Sequence, residues 1–162
     1  MHVCCFSGHR IILKKHRHLI KEKLNTELET LISQNVTVFK SGGAMGFDTV
    51  AALEVLRLKS KYPHIKLIMV LPCKEQTSGW RKKDAENYNY ILENADEVIY
   101  ISEHYYTGCM QKRNRELVCG SDVCVCYLTR NSGGTHQTVA CAVKNCLEII
   151  NLADFIDMAL II

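Results

Sequence analysis

The sequence predicts an α/β protein, a doubly wound parallel sheet of about six strands in a three-layer α/β/α arrangement. Three observations lead there. Short apolar runs alternate with longer stretches whose apolar residues recur at helical spacing. The run from Ile65 to Leu71 is apolar but for Lys66, as expected of a strand covered by helices on both faces. Glycine-bearing turns repeatedly mark the point where a strand-like run gives way to a helix-like one.

Taken in order, Val3 to Phe6 reads as the first strand, ending in Ser7-Gly8-His9-Arg10. A helix follows over Lys15 to Gln34, with Leu19, Ile20, Leu24, Leu28, Leu31 and Ile32 on its apolar stripe. Val36 to Phe39 is the second strand. Ser41-Gly42-Gly43-Ala44-Met45-Gly46 turns the chain into a helix from Phe47 to Lys61, which Tyr62-Pro63 closes. The third strand, Ile65 to Leu71, leads through a polar loop to a helix over Trp80 to Asn94. Glu97 to Ile101 is the fourth strand, and a loop with two tyrosines precedes a short helix over Cys109 to Cys119. Val123 to Leu128 is the fifth strand, the helix Thr135 to Asn145 follows it, and Glu148 to Leu152 is the sixth strand. Ala95-Asp96 and Ser121-Asp122 each precede a strand, as if one helix-to-strand turn were used twice. The apolar tail, Ala153 to Ile162, either docks on its own domain or supplies a dimer contact.

At 162 residues the chain is expected to form one domain over residues 1–162, without a linker or low-complexity segment. A formal charge of +3 gives nucleic-acid binding no bulk electrostatic support. No apolar run approaches the ~20 residues of a membrane span, so no membrane partner is expected. A first strand so near the start leaves no room for a signal peptide, which points to a reducing, cytoplasmic compartment. The nine cysteines then read as reduced thiols packed in the core, and with no CxxC pair no metal site is expected.

In a doubly wound sheet, ligands bind outside the carboxyl ends of the strands near the reversal in strand order. With the order 3-2-1-4-5-6, the turns after strands 2, 1, 4 and 5 fall side by side. Ser41, Gly42, Gly43, Ala44, Gly46 and Asp48 come from the second turn, and Ser7, Gly8, His9 and Arg10 from the first. Arg113 and Asn114 follow the fourth strand, and Gly133-Gly134-Thr135 the fifth. Backbone N–H groups at a helix start favour an anion, and an arginine fork fits a phosphate. Each feature also has a plainer reading: turn glycines, a Thr135 cap, a solvated Arg10, and an Asp48 that complements its helix dipole. Neither GxGxxG nor GxxxxGK[ST] is present. Arg113 and Arg115 project about 200° apart on a helix, so only one faces the ligand. Arg113 is the better placed, and Arg115 is left to a structural or interface role. Trp80, with Gln76, either packs or stacks on a base, and packing is the preferred reading. His9 is read as holding its loop by hydrogen bonds, with general-base work as the alternative.

These residues resemble the bacterial YpsA-like (DUF1273) family of the SLOG superfamily, to which the Smf/DNA-processing and Lonely Guy proteins also belong. The resemblance rests on Phe6-Ser7-Gly8-His9-Arg10, Ser41 to Asp48, Pro72 with Gln76 and Trp80, the Ala95-Asp96 and Ser121-Asp122 pairs, Arg113-Asn114-Arg115, and Gly133-Gly134-Thr135 with Thr138-Val139. It implies a Rossmann-like fold that binds or senses a nucleotide or nucleotide-derived ligand, such as ADP-ribose or a nucleoside phosphate, and a homodimer. The Lonely Guy branch cleaves the N-glycosidic bond of nucleoside monophosphates. Met110-Gln111-Lys112-Arg113 is similar to its catalytic arginine motif, which makes Arg113 the catalytic residue on that alternative. Its glutamate after the glycine turn has no counterpart among His136 to Val139, and Asp48 or Glu116 would have to substitute. The single-stranded DNA binding of the DNA-processing branch is not expected, because no basic stripe with interleaved aromatics is present. A regulatory protein-interaction module is the remaining alternative.

Overall fold

The computed structural model describes residues 2–161. The elements in chain order are β1 (His2–Gly8), α1 (Ile20–Ser33), β2 (Val36–Ser41), α2 (Phe47–Leu58), β3 (Lys66–Leu71), α3 (Lys82–Asn94) and β4 (Glu97–Tyr100). Then come α4 (Cys109–Val118), β5 (Val123–Tyr127), α5 (Gly133–Lys144), β6 (Glu148–Asn151) and α6 (Leu152–Ile161). All strand pairs are parallel, and α1, α2, α3 and α6 cover one face while α4 and α5 cover the other. This is the expected three-layer, doubly wound Rossmann-like arrangement.

The strand order corrects the expectation. It is β4-β3-β2-β1-β5-β6, not 3-2-1-4-5-6. The reversal falls after β4, which extends the sheet beyond β3 with Ile68 opposite Glu97 and Leu71 opposite Tyr100. Exposure explains the placement. β4 is short, and Ile99 and Tyr100 stay about two fifths exposed, which suits an edge. β5 is buried at every position and occupies the centre beside β1. The α4 crossover therefore returns from the far edge and packs on β3 and β1, carrying Arg113 to the middle of the sheet.

Within β5, Val123, Val125 and Tyr127 enter the core under α1, α2 and α6, while Cys124 and Cys126 enter the core under α4 and α5. β1 alternates likewise, with Cys4 and Phe6 on one side and Cys5 on the other. Cys4, Cys5, Cys73, Cys109, Cys124 and Cys126 are buried free thiols, whereas Cys119 and Cys146 are exposed. The Cys124 thiol, followed by burial, pushes the Cys5 thiol far above its ordinary range.

The paired Asp turns are one device used twice. Asp122 N–H donates to the Val3 carbonyl, and its carboxylate accepts from Val3 N–H at 2.8 Å. Asp96 makes the same two bonds to Leu67, with the carboxylate again at 2.8 Å. Each aspartate closes the open start of a neighbouring strand and sets its register.

Most boundaries shift by one to three residues from the sequence reading, and two of the shifts have clear local reasons. β1 runs on to Gly8 because Ser7 and Gly8 still pair with Cys126 and Tyr127. The first helix begins at Ile20, after a separate 3-10 turn over Lys14–His16. That turn is anchored by hydrogen bonds to Tyr127 and Asp157. Leu13 N–H donates to Tyr127 Oη at 3.0 Å, and the wholly buried His16 bonds Tyr127 Oη at 2.7 Å and Asp157 at 2.8 Å. Asp157 lies on α6, so the tail docks on its own sheet, with Leu152, Ala153 and Ile156 buried. Ile162, the last residue of the expected tail, lies outside the described residues. Among the described residues no helix is long and apolar enough to cross a membrane.

Candidate nucleotide site

The turns after β1 and β2 are stitched together. Phe47 N–H donates to the His9 carbonyl at 3.2 Å, and His9 N–H donates to the Tyr127 carbonyl at 3.3 Å. A Cβ on Gly8 would collide with the Phe47 ring. A Cβ on Gly46, where φ is +76°, would collide with the Arg10 carbonyl. These glycines permit two backbones to cross at contact distance. Gly46→Ala is therefore expected to lower unfolding free energy by at least about 2 kcal/mol, from left-handed strain plus the clash. Urea denaturation checks this, and an unchanged midpoint would contradict it.

The crossing leaves a cavity of 470 Å³ at the carboxyl edge. Ser7, Gly8, His9 and Arg10 line it from the first turn, and Ala44 and Asp48 from the second. Arg113 and Asn114 enter from α4, and Gly134 and Thr135 from the start of α5. Ser41, Gly42, Gly43, Gly46 and Gly133 do not line it. Ser41 is buried, with Oγ 3.4 Å from both the Gly43 N–H and the Asp48 carbonyl. Gly43, at φ +70°, packs against Leu71 and Tyr88. A Cβ on Gly42 would collide with the Arg113 guanidinium, and the Gly42 carbonyl accepts from Arg113 Nη1 and from Gln76 Nε2.

The charges are three arginines against one carboxylate. Arg113 is buried, and its Nε donates to Asn114 Oδ1 at 2.8 Å, so its position is fixed from both sides of the guanidinium. Burial lowers its pKa, and Asp48 partly restores it. Arg10 and Arg130 are exposed at the rim. Asp48 is 5% exposed; Oδ2 accepts the Ala44 N–H at 3.3 Å, and Oδ1 has no partner within the protein. Burial pushes its carboxyl up to about 6, against the pull of Arg113, the Ala44 N–H and Arg10. Asp48 and Arg113 attract each other without a direct ion pair.

His9 accepts the Thr129 N–H on Nε2 at 3.0 Å, and burial and Arg130 lower its pKa. The ring is thereby held neutral with its proton on Nδ1, and it ties the first turn to the last. At the start of α5, Ser132 makes no side-chain cap. Uncapped first-turn N–H groups beside Gly134 and Thr135 therefore face a lined cavity.

Arg115 and Glu116 are exposed on α4 and outside the cavity lining, so of the two carboxylates considered as substitutes only Asp48 lines it. Trp80 packs edge-on against Tyr88, with ring centroids 5.5 Å apart. The sequence reading missed Arg130 and the apolar lining residues Ile11, Met110 and Leu117 as site residues. Arg130 is findable in the sequence, since it lies three residues before the Gly133-Gly134 turn, in the loop that follows the fifth strand.

The fold is that of a Rossmann-like α/β protein with a cavity at the carboxyl edge of its sheet, near the strand reversal. The model of the YspA SLOG family (YpsA) matches residues 10–158, and the chain belongs to that family. It is 33% identical over 141 residues to the SPbeta prophage-derived protein YoqJ of Bacillus subtilis strain 168, covering 79% of this chain and 82% of that one. It is 34% identical over 123 residues to a UPF0398 protein of Halalkalibacterium halodurans, covering 72% of this chain and 65% of the relative, just under two thirds of its length. Among solved structures, DNA processing protein A from Streptococcus pneumoniae superposes with a TM-score of 0.67 at 18% identity, over 92% of this chain and 49% of that one, which shows the fold.

Proposed function

We propose that the cavity binds a nucleotide-derived ligand carrying phosphate and ribose, of the ADP-ribose or nucleoside phosphate type. The observation that carries this is Asp48 Oδ1, a buried acceptor without a donor in a cavity that otherwise holds arginines. A buried unpaired carboxylate oxygen costs free energy that a ribose hydroxyl would recover. Arg113, with Arg10 and Arg130 at the rim, and the start of α5 supply the field and donors for phosphate. Exposed Arg10 and Arg130 steer the anion, while buried Arg113 fixes it.

Thermal unfolding tests the reading. At ~100 times its dissociation constant, ADP-ribose or a nucleoside monophosphate is expected to add ~2.7 kcal/mol of stability. No shift with any member of the panel would remove the reading.

One observation favours a second reading, N-glycosidic hydrolysis. Asp48 stands in the same cavity as Arg113 with its carboxyl pushed up to about 6, within range of acid–base work near neutral pH. Free base released from nucleoside monophosphates, and lost in an Arg113 variant, would establish it. On the binding reading no base is released. The homodimer is proposed on the family resemblance alone and is read by sedimentation velocity.

A further inference from the structure

A second cavity, of 560 Å³, adjoins the first. Met110 lines both, so the two cavities share a wall residue. Their chemistry differs. The first carries three arginines, while Gln76, Ser78, Tyr105 and Pro72 dominate the second. Its one carboxylate is already engaged. Glu75 Oε1 pairs with His104 Nδ1 at 2.5 Å, and Oε2 accepts the Tyr105 N–H at 3.2 Å. Lys74 N–H donates to the Glu103 carbonyl at 3.2 Å. The loop between β4 and α4 is thus pinned to the loop between β3 and α3.

That pinning makes Tyr105 unusual. The residue is 62% exposed, yet its backbone N–H is fixed. A fixed, exposed tyrosine lining a cavity that a polarisable methionine also lines is a platform for a flat heteroaromatic ring. Gln76 adds direction. Its Nε2 donates to the Gly42 carbonyl at 3.1 Å, which fixes the amide, and its Oε1 is buried without a partner in the protein. The Gly42 carbonyl that orients Gln76 also accepts from Arg113. One backbone oxygen therefore links the donor of the first cavity to the acceptor of the second.

We propose that the second cavity is the base subsite of the same ligand: a nucleobase with an exocyclic amine lies between Tyr105 and Met110 and donates to Gln76 Oε1. The phosphate of that ligand then lies in the first cavity. This rests on the nucleotide reading and adds to it which end of the nucleotide goes where, and which bases are preferred.

Calorimetric titration with adenosine monophosphate, inosine monophosphate and ribose 5-phosphate tests it. Tyr105→Ala is expected to weaken adenosine monophosphate about tenfold, the loss of one base–aromatic stack, and to leave ribose 5-phosphate unchanged. Tyr105→Phe keeps the ring and is expected to restore wild-type affinity. Inosine monophosphate, which lacks the amine, is expected to bind about tenfold more weakly than its amino counterpart. Equal loss for nucleotide and sugar phosphate in Tyr105→Ala, no loss at all, or equal affinity for the two nucleotides would overturn the base subsite. If ribose 5-phosphate binds while these differences are missing, only the subsite falls. If no probe binds, the nucleotide reading falls with it.

Discussion

Replacing Arg113 by methionine is expected to lower stability by about 2–3 kcal/mol and to weaken ribose 5-phosphate about 100-fold. Methionine keeps most of the buried stem, so the loss is read from the guanidinium rather than from a cavity. The guanidinium satisfies the Gly42 carbonyl and Asn114 Oδ1 from within the protein. Hydrogen bonds from a charged donor carry about 1.5–3 kcal/mol each. Gly42 retains Gln76 as a second donor, which keeps the cost below the sum of the two bonds. Without Arg113, Asp48 loses the larger of its two attracting charges, and its carboxyl moves further up. The binding loss follows from removing the one buried cation of the cavity. Arg10→Ala and Arg130→Ala, both at exposed residues, are expected to cost less and to fade with salt. Arg113→Lys separates charge from geometry: it keeps the cation and loses the planar fork, so an intermediate affinity is expected. Urea denaturation gives the first number and calorimetry the second. Unchanged ribose 5-phosphate affinity in Arg113→Met would leave Arg113 a purely structural role.

The fold class was legible because the alternating pattern is physical. Apolar runs such as Val123 to Leu128 cannot sit at a solvent-facing edge, and the helical stripes need a sheet to cover. The strand order was not legible to the same degree. Alternation says that each crossover is right-handed, but not where the direction reverses. The exposure carried by Glu97, Ile99 and Tyr100 held that information, and the assumed order overlooked it. The site shows the same split. Gly8, Arg10, Asp48, Arg113 and Gly134, singled out by residue type and position, all line one cavity. Gly42, Gly43 and Gly46 were read as an anion cradle, yet they meet Arg113, Leu71 and the Arg10 carbonyl. A glycine that admits a ligand and a glycine that admits another part of the chain look alike in sequence. Only the partner on the other side tells them apart. Pinned Tyr105 is the converse case, since the bonds that fix it come from Glu75, thirty positions earlier in the chain.

Replacing Asp48 by asparagine is expected to change stability in a pH-dependent way and to push two ligand classes in opposite directions. The carboxyl has a pKa of about 6 in the folded protein against 3.8 for the free side chain. The folded state therefore holds more protons between those values, and the wild type gains stability as pH falls through 6 and loses it as pH rises. From pH 8 to pH 5 the gain from this one group is about 1.4 kcal/mol. The amide of the Asp48→Asn variant does not titrate, so the variant's stability relative to wild type falls by that amount over the same interval. Ion-paired carboxylates away from Asp48, such as Glu29 and Asp157, titrate alike in both proteins and cancel in the difference. Binding separates the roles. A ribose hydroxyl donates more strongly to a carboxylate than to an amide, so ADP-ribose is expected to bind the variant about tenfold more weakly. Inorganic pyrophosphate has no hydroxyl to offer and meets only the repulsion of the carboxylate, so it is expected to bind the variant at least as well as the wild type. Equal weakening of both ligands would mean that Asp48 only shapes the cavity. Weakening of pyrophosphate alone would place the phosphates, rather than the ribose, against Asp48 in its protonated form.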